Sequence, residues 1–184
     1  MTEMMNDVAK VLCTQEEIEQ RVQEMGQAIT RDFSGSNRLI VVGILKGAVV
    51  YYADLIRHIG LPMAMDFMMA SSYGSSSVTS GVVNVTKDLE NDIEGQDVLI
   101  VEDIIDTGLT LSKLKQVLLA RNPNSLKICC LLDKPERRKV DMKADYVGFS
   151  IPDEFVVGYG LDYNERYRNL PDICVLKPEI YVKD

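Results

Sequence analysis

No stretch of this 184-residue chain is apolar for the roughly 20 residues that a helix needs to cross a bilayer. That absence removes the helical membrane-spanning classes. Positive charge is in deficit: 20 Lys and Arg stand against 28 Asp and Glu, a net charge of −8. Nucleic-acid binding through the overall field is therefore not expected, and any phosphate ligand must be held by local groups. Histidine is nearly missing, and His58 reads as a surface or packing group. The four cysteines, Cys13, Cys129, Cys130 and Cys174, lack metal-ligand spacing, and the adjacent pair lies in an apolar run. They read as buried free thiols rather than zinc ligands or disulfide partners. The opening "MTEMMNDVAKVLCTQEE" has neither a basic n-region nor an apolar h-region, so the expectation is a cytoplasmic protein with no membrane partner. Neither the G-x-x-x-x-G-K-S/T loop of nucleoside-triphosphate sites nor the G-x-G-x-x-G of dinucleotide folds occurs, and there is no internal repeat or linker.

What is present suits one compact domain, long enough to bury roughly 70% of the surface of the unfolded chain. "TQEEIEQRVQEMGQAITRDF" opens with Thr14 and Glu17 in capping-box spacing and repeats Ile18, Val22, Met25 and Ile29 along one stripe, which predicts an amphipathic helix. "RLIVVGIL" is a β-branched run apolar on both sides, as a central parallel strand would be. After "KGA" a helix is expected from about Val49 to Ile59, stopped by Gly60 and Pro62. "PMAMDFMMA" reads as a strand whose buried face is Met63, Met65, Phe67 and Met69. "SSYGSSSVTSG" has the composition of a mobile loop, and "VVNVTKDL" reads as a further strand. "DVLIVED", "LTLSKLKQVLLAR" and "LKICCLLD" follow as strand, helix and strand. Such a βαβ unit implies a mainly parallel α/β sheet with its binding loops at the carboxyl ends of the strands. The remainder, rich in Gly, Pro and Tyr, has strand-like pieces around Tyr146 to Phe149 and Ile173 to Leu176.

The stretch "VLIVEDIIDTGLTLSKL" concentrates the chemistry. A loop that leaves a strand and enters a helix presents unpaired N–H groups and the positive end of the helix dipole, which suit a phosphate. Asp106, Thr107, Gly108, Leu109 and Thr110 occupy that place, with Gly108 allowing close backbone approach and two hydroxyls as donors. Carboxylates beside a phosphate need another partner, and sugar hydroxyls or a hydrated Mg²⁺ are the natural ones for Glu102 and Asp103. Strand alternation sends these two to opposite sides of the sheet, so that only one is expected at a metal. The plainer reading, a capped helix after a solvated strand end, fits the spacing equally well.

The whole string resembles the signature of type I phosphoribosyltransferases, in which the loop receives the 5′-phosphate of phosphoribosyl pyrophosphate. Other segments resemble the 6-oxopurine, or hypoxanthine-guanine, branch: "GILKGA" its pyrophosphate loop, "SSYG" its lid, "LLDK" the strand end with a purine-reading lysine, and "IPDEFVVGYGLDYNERYRNLP" its hood. The matches run from about Ile40 to Val175 in the right order. The resemblance implies a mainly parallel sheet flanked by helices, with a small hood subdomain built from about 145–184 and the N-terminal segment, all within a single domain over 1–184. It implies transfer of the phosphoribosyl group to N9 of hypoxanthine or guanine with Mg²⁺, giving IMP or GMP in a homodimer or homotetramer.

Residue by residue, Lys46 and Gly47 would serve pyrophosphate, and the peptide before Lys46 can be cis in the family; a cation opening a helix is unfavourable unless an anion is near. Lys134, a donor without acceptor capacity, would read the exocyclic oxygen, Phe155 would offer a face to the purine, and the backbone of Val156 would address its edge. Asp162 would serve the purine subsite and, with Glu102 and Asp103, the metal; Arg168 would fork onto pyrophosphate; Asp106 would exchange a proton at N7; Ser72 and Tyr73 would belong to the lid. Leu109 stands where some relatives carry lysine, and Ala48 where others have glycine or serine. The alternatives are a regulator of the same fold that senses the sugar pyrophosphate, or a transferase for xanthine or adenine.

Overall fold

The computed structural model describes residues 2–72 and 83–182. A turn of helix, α1 (Thr2–Met5), leads into strand β1 (Val8–Cys13) and the long helix α2 (Gln15–Asp32). The capping box is made: Glu17 N donates to Thr14 Oγ1 at 3.2 Å and Thr14 N to Glu17 Oε2 at 2.8 Å. Ile18, Val22, Met25 and Ile29 are the buried stripe. Then come β2 (Leu39–Leu45), α3 (Val49–Arg57), β3 (Met63–Ser72), β4 (Val83–Lys87), β5 (Asp97–Ile105), α4 (Leu109–Leu119), β6 (Ser125–Asp133) and β7 (Tyr146–Ser150). The last elements are β8 (Val156–Val157), β9 (Ile173–Leu176) and a final turn of helix, α5 (Pro178–Tyr181).

Six strands form one sheet in the order β4-β3-β2-β5-β6-β7, parallel except for the edge strand β4. The continuous apolar runs follow from having two cores. Leu39, Val41, Leu99, Val101, Cys129 and Leu131 pack with α2 and α3, while Ile40, Val42, Val98, Ile100, Ile128 and Cys130 pack with Leu111, Leu114 and Leu118 of α4. Burial on both faces removes any need for alternation. All four cysteines are buried and free, and half-buried His58 lies against Gly26 of α2.

A second, antiparallel sheet joins β1, β9 and β8 over a smaller apolar cluster. The local pattern of "VAKVLC" does not announce β1, because its partner β9 comes from the far end of the chain.

The predicted face of β3 needs correction. Met65 is 50% exposed, whereas Asp66 and Met68 are buried. Met63 and Phe67 do pack toward the α2 and α3 side, Phe67 with its ring 4.8 Å from that of Tyr52. Met68 serves the opposite core. Asp66 is kept inside by N–H donors from Phe67, Glu90 and Asn91 and by the Asn91 side-chain amide.

Candidate active site

Parallel strands β2, β5 and β6 end on the same edge of the sheet, so the loops after them meet there. The loop after β5 turns into α4 at Gly108, with φ of 77°. That left-handed conformation is open to glycine at no steric cost, and a Cβ here would also crowd Arg138, Val140 and Met142 at 3.2 Å. The loop is pinned from outside: Lys139 N donates to the Thr107 carbonyl at 3.0 Å and Arg138 Nη1 to the Asp106 carbonyl at 2.7 Å. Arg138 also pairs with Asp133 at the end of β6. No side chain caps α4 at Gly108, and the nearest substitute is a long 3.4 Å contact from Leu109 N to Thr107 Oγ1. The helix dipole and its first N–H groups thus face outward between Thr107 and Thr110, as an anion site requires.

Glu102 and Asp103 do not part company as alternation predicted. Glu102 Oε1 accepts from Asp103 N at 3.3 Å, and Asp103 Oδ1 accepts from Ile104 N at 2.7 Å. Alternation directs the Cβ atoms, but both side chains curl back on the strand and their carboxyls meet. Burial first, then the neighbouring Asp103 carboxylate, pushes Glu102 well above the usual carboxyl range. Burial also raises Asp103, against a hydrogen bond from Glu102 that lowers it. Two buried acids this close, both disfavoured as carboxylates by burial, make a donor set that a divalent cation would relieve.

Across from them lies the loop after β2. The Leu45–Lys46 peptide is cis. Gly47 sits so close to Asp103 that a Cβ would run into the Asp103 carboxylate. Lys46 Nζ pairs with Glu165 Oε1 at 3.2 Å. Arg168 Nη1 donates to the Gly160 carbonyl at 2.8 Å, and Nη2 pairs with Asp162 at 2.9 Å and Glu165 at 3.3 Å. Arg168 Nε is a buried donor with no acceptor among the described residues.

Beyond the loop after β5 opens a cleft of 410 Å³ that collects Asp106, Lys134, Phe155, Val156 and Asp162. Lys134 is 7% exposed, its Nζ donating to the Glu154 carbonyl at 2.6 Å with Asp153 Oδ1 at 3.8 Å. Burial lowers its pKa, with Asp106 and Asp153 pulling the other way. Phe155 is not free on both faces: Tyr181 stacks on it at 4.7 Å and 21°, and Tyr163 meets it edge-on at 5.5 Å. Phe155 still lines the cleft alongside Tyr181.

Of the expected lid, Ser72 closes β3 and Tyr73 lies outside the described residues. Sequence reasoning missed Ile104, Arg137, Asp153 and Tyr181, which also line the cleft. Arg137 bridges Asp106 at 2.6 Å and Asp153 at 3.3 Å. The basic run "ERRK" just after Lys134 was the signal available for it.

Known proteins resemble this chain over nearly its whole length. Residues 10–164 match the family described as phosphoribosyl transferase domain. The chain is 55% identical over 178 residues to the hypoxanthine-guanine phosphoribosyltransferase of Bacillus subtilis, covering 97% of this chain and 98% of that one. It is 52% identical to the bifunctional protein TilS/HprT of Listeria monocytogenes over 97% of its own length, and spans 27% of that longer protein. A hypoxanthine phosphoribosyltransferase crystal structure from Staphylococcus aureus superposes with a TM-score of 0.95 at 51% identity, covering 98% of both chains.

Proposed function

This chain belongs to the hypoxanthine-guanine phosphoribosyltransferases of the phosphoribosyl transferase domain family, and we propose that the cleft between Asp106, Lys134 and Phe155 is where it joins a 6-oxopurine to the sugar. The activity is hypoxanthine-guanine phosphoribosyl transfer in purine salvage. One observation carries the residue assignment: a single cleft gathers the acid, the lysine and the aromatic beside an uncapped helix start.

In the proposed reaction the sugar's 5′-phosphate lies against the N–H groups and hydroxyls from Thr107 to Thr110. The purine packs against Phe155, Lys134 donates to its exocyclic oxygen, and the Val156 backbone addresses its edge. N9 attacks C1′ as pyrophosphate leaves toward Lys46, Gly47 and Arg168. Asp106 takes or returns the proton at N7, help that is worth about 10² to 10⁴-fold. Glu102 and Asp103 are the groups that would hold Mg²⁺ near the sugar, and Asp162 would offer a separate carboxylate on the pyrophosphate side; a bound Mg²⁺ would supply positive charge against the leaving pyrophosphate. A closed lid including Ser72 and Tyr73 would keep water from the electron-poor sugar carbon.

Four unpaired cysteines suit the reducing cytoplasm in which we place the protein. A homodimer or homotetramer is proposed with it from family resemblance, to be read by sedimentation. A structure with IMP or GMP tests the site directly: phosphate oxygens are expected within hydrogen-bonding distance of Thr107 and Thr110, and a phosphate held elsewhere would defeat the assignment. Incubation with Mg²⁺, phosphoribosyl pyrophosphate and hypoxanthine, guanine, xanthine or adenine in turn reads the base preference.

A further inference from the structure

Both cations assigned to pyrophosphate are engaged by the same carboxylate. Glu165 Oε1 takes Lys46 Nζ at 3.2 Å, and Glu165 Oε2 takes Arg168 Nη2 at 3.3 Å. Lys46 follows β2 in the large sheet, while Arg168 precedes β9 in the small one, so one anion ties two separate parts of the fold. Two oxygens of a single phosphoryl group would make the same bridge.

The backbone favours this reading over a chance surface pairing. Tyr163 and Arg166 exchange hydrogen bonds at 3.2 and 3.0 Å, and the two residues between them, Asn164 and Glu165, have φ of 51° and 58°. This is the hairpin turn whose second central position is best filled by glycine. A glutamate there gives up backbone comfort, and what it gains is a carboxylate among the cations. Its own N–H is spent on Asp162 Oδ2 at 2.8 Å, which fixes the turn against the proposed metal ligand. Lys46, Arg168, Asp162 and Glu165 together sum to zero charge, so pyrophosphate approaches a neutral cluster unless one acid withdraws. Glu165 is the one able to leave, since its side chain is 65% exposed while that of Asp162 is 29% exposed.

We propose that Glu165 is a built-in rival of pyrophosphate: its carboxylate holds Lys46 and Arg168 in the ligand-free chain and must release them before the sugar pyrophosphate binds, so that it sets the affinity of this end of the site. The inference rests on the assignment of Lys46 and Arg168 to pyrophosphate. Exposed ion pairs are weak, so displacement is easy and the rivalry amounts to about two- to ten-fold in affinity. The carboxylate thus spares the unliganded enzyme an unbalanced pair of cations without closing the site.

The test uses Glu165→Gln, which keeps size and removes charge, and Glu165→Gly, which also relieves the turn. Inorganic pyrophosphate is titrated calorimetrically in Mg²⁺ buffer, and KM is measured for phosphoribosyl pyrophosphate and for hypoxanthine. Both variants should bind pyrophosphate about two- to ten-fold more tightly and show a lower KM for the sugar pyrophosphate, with the hypoxanthine KM unchanged. Unchanged or weaker pyrophosphate binding in both overturns the proposal. Lys46→Ala and Arg168→Ala separate the two levels. If they weaken pyrophosphate binding while the Glu165 variants do not strengthen it, only the rivalry is wrong. If they leave binding untouched, the subsite assignment fails as well.

Discussion

Arg137 Nε lies 2.6 Å from Asp106 Oδ1, and the same guanidinium reaches Asp153 at 3.3 Å, so one arginine in the cleft lining links the loop after β5 to the segment after β7. The two ends of that contact should behave very differently. Asp106→Asn is expected to lower kcat by about 10² to 10⁴-fold with an unchanged melting temperature. Arg137→Gln should change kcat by less than about ten-fold, because the pair is roughly half exposed and such pairs contribute little. Equal losses in the two variants would move Arg137 into the reacting centre.

Lys134 offers a test by both substitution and pH. Losing a charged donor to the base oxygen is worth about 1.5 to 3 kcal/mol, so Lys134→Gln should raise the KM for hypoxanthine and guanine by roughly 10- to 150-fold. Burial lowers the lysine pKa, so its proton is lost at a lower pH than that of an ordinary lysine. Hypoxanthine KM should therefore begin to rise on the alkaline side earlier than a free lysine would allow, and that limb should vanish in Lys134→Gln. A pH-independent KM in the unsubstituted protein would count against the role.

Gly47 has no room for a side chain, since a Cβ would meet the Asp103 carboxylate. Gly47→Ala must displace either the loop after β2 or the acid. A displacement of about 1 Å is enough to lower kcat/KM for phosphoribosyl pyrophosphate by about 100-fold. Steady-state kinetics with circular dichroism on the same sample checks that the fold survives.

Tyr181 supports Phe155 through a stacked pair worth about 0.5 to 1.5 kcal/mol. Tyr181→Ala should raise the purine KM by roughly two- to ten-fold with kcat kept, and Tyr181→Phe should restore it. A kcat loss not rescued by phenylalanine would mean that the hydroxyl acts in its own right.

Asp66 is the stability counterpart of these site predictions. Burial pushes its pKa up, but the amides of Asn91, Phe67 and Glu90 outweigh it and hold the carboxyl below its ordinary range. A carboxyl with a depressed folded-state pKa stabilises above the unfolded value near 4, and that contribution disappears as pH falls through the folded value. Asp66→Asn should thus lose about 2 kcal/mol at pH 7 in urea unfolding, with the gap to the parent closing in acid. A gap that stays constant would assign the effect to packing instead.

How much of this was legible in the chain depends on the distance over which each feature is decided. The capping box at Thr14 and Glu17, the stripe of α2, the two-sided apolar strands and the turn at Gly108 are set by neighbours within a few residues. Those neighbours are printed side by side in the sequence, and the long string from Val98 to Leu114 carried the family with them. The buried face of β3 was misjudged because two helical layers compete for it, and alternation cannot say which will win. The meeting of Glu102 with Asp103 depends on side-chain torsions beyond Cβ, to which strand periodicity is blind. β1, Tyr181, Arg137 and Glu165 acquire their meaning from partners brought close by folding: β9, Phe155, Asp106, and the pair Lys46 and Arg168. Local chemistry therefore settled the family and named candidate groups, and tertiary contact alone decided which residues line the cleft with them and which restrain one another.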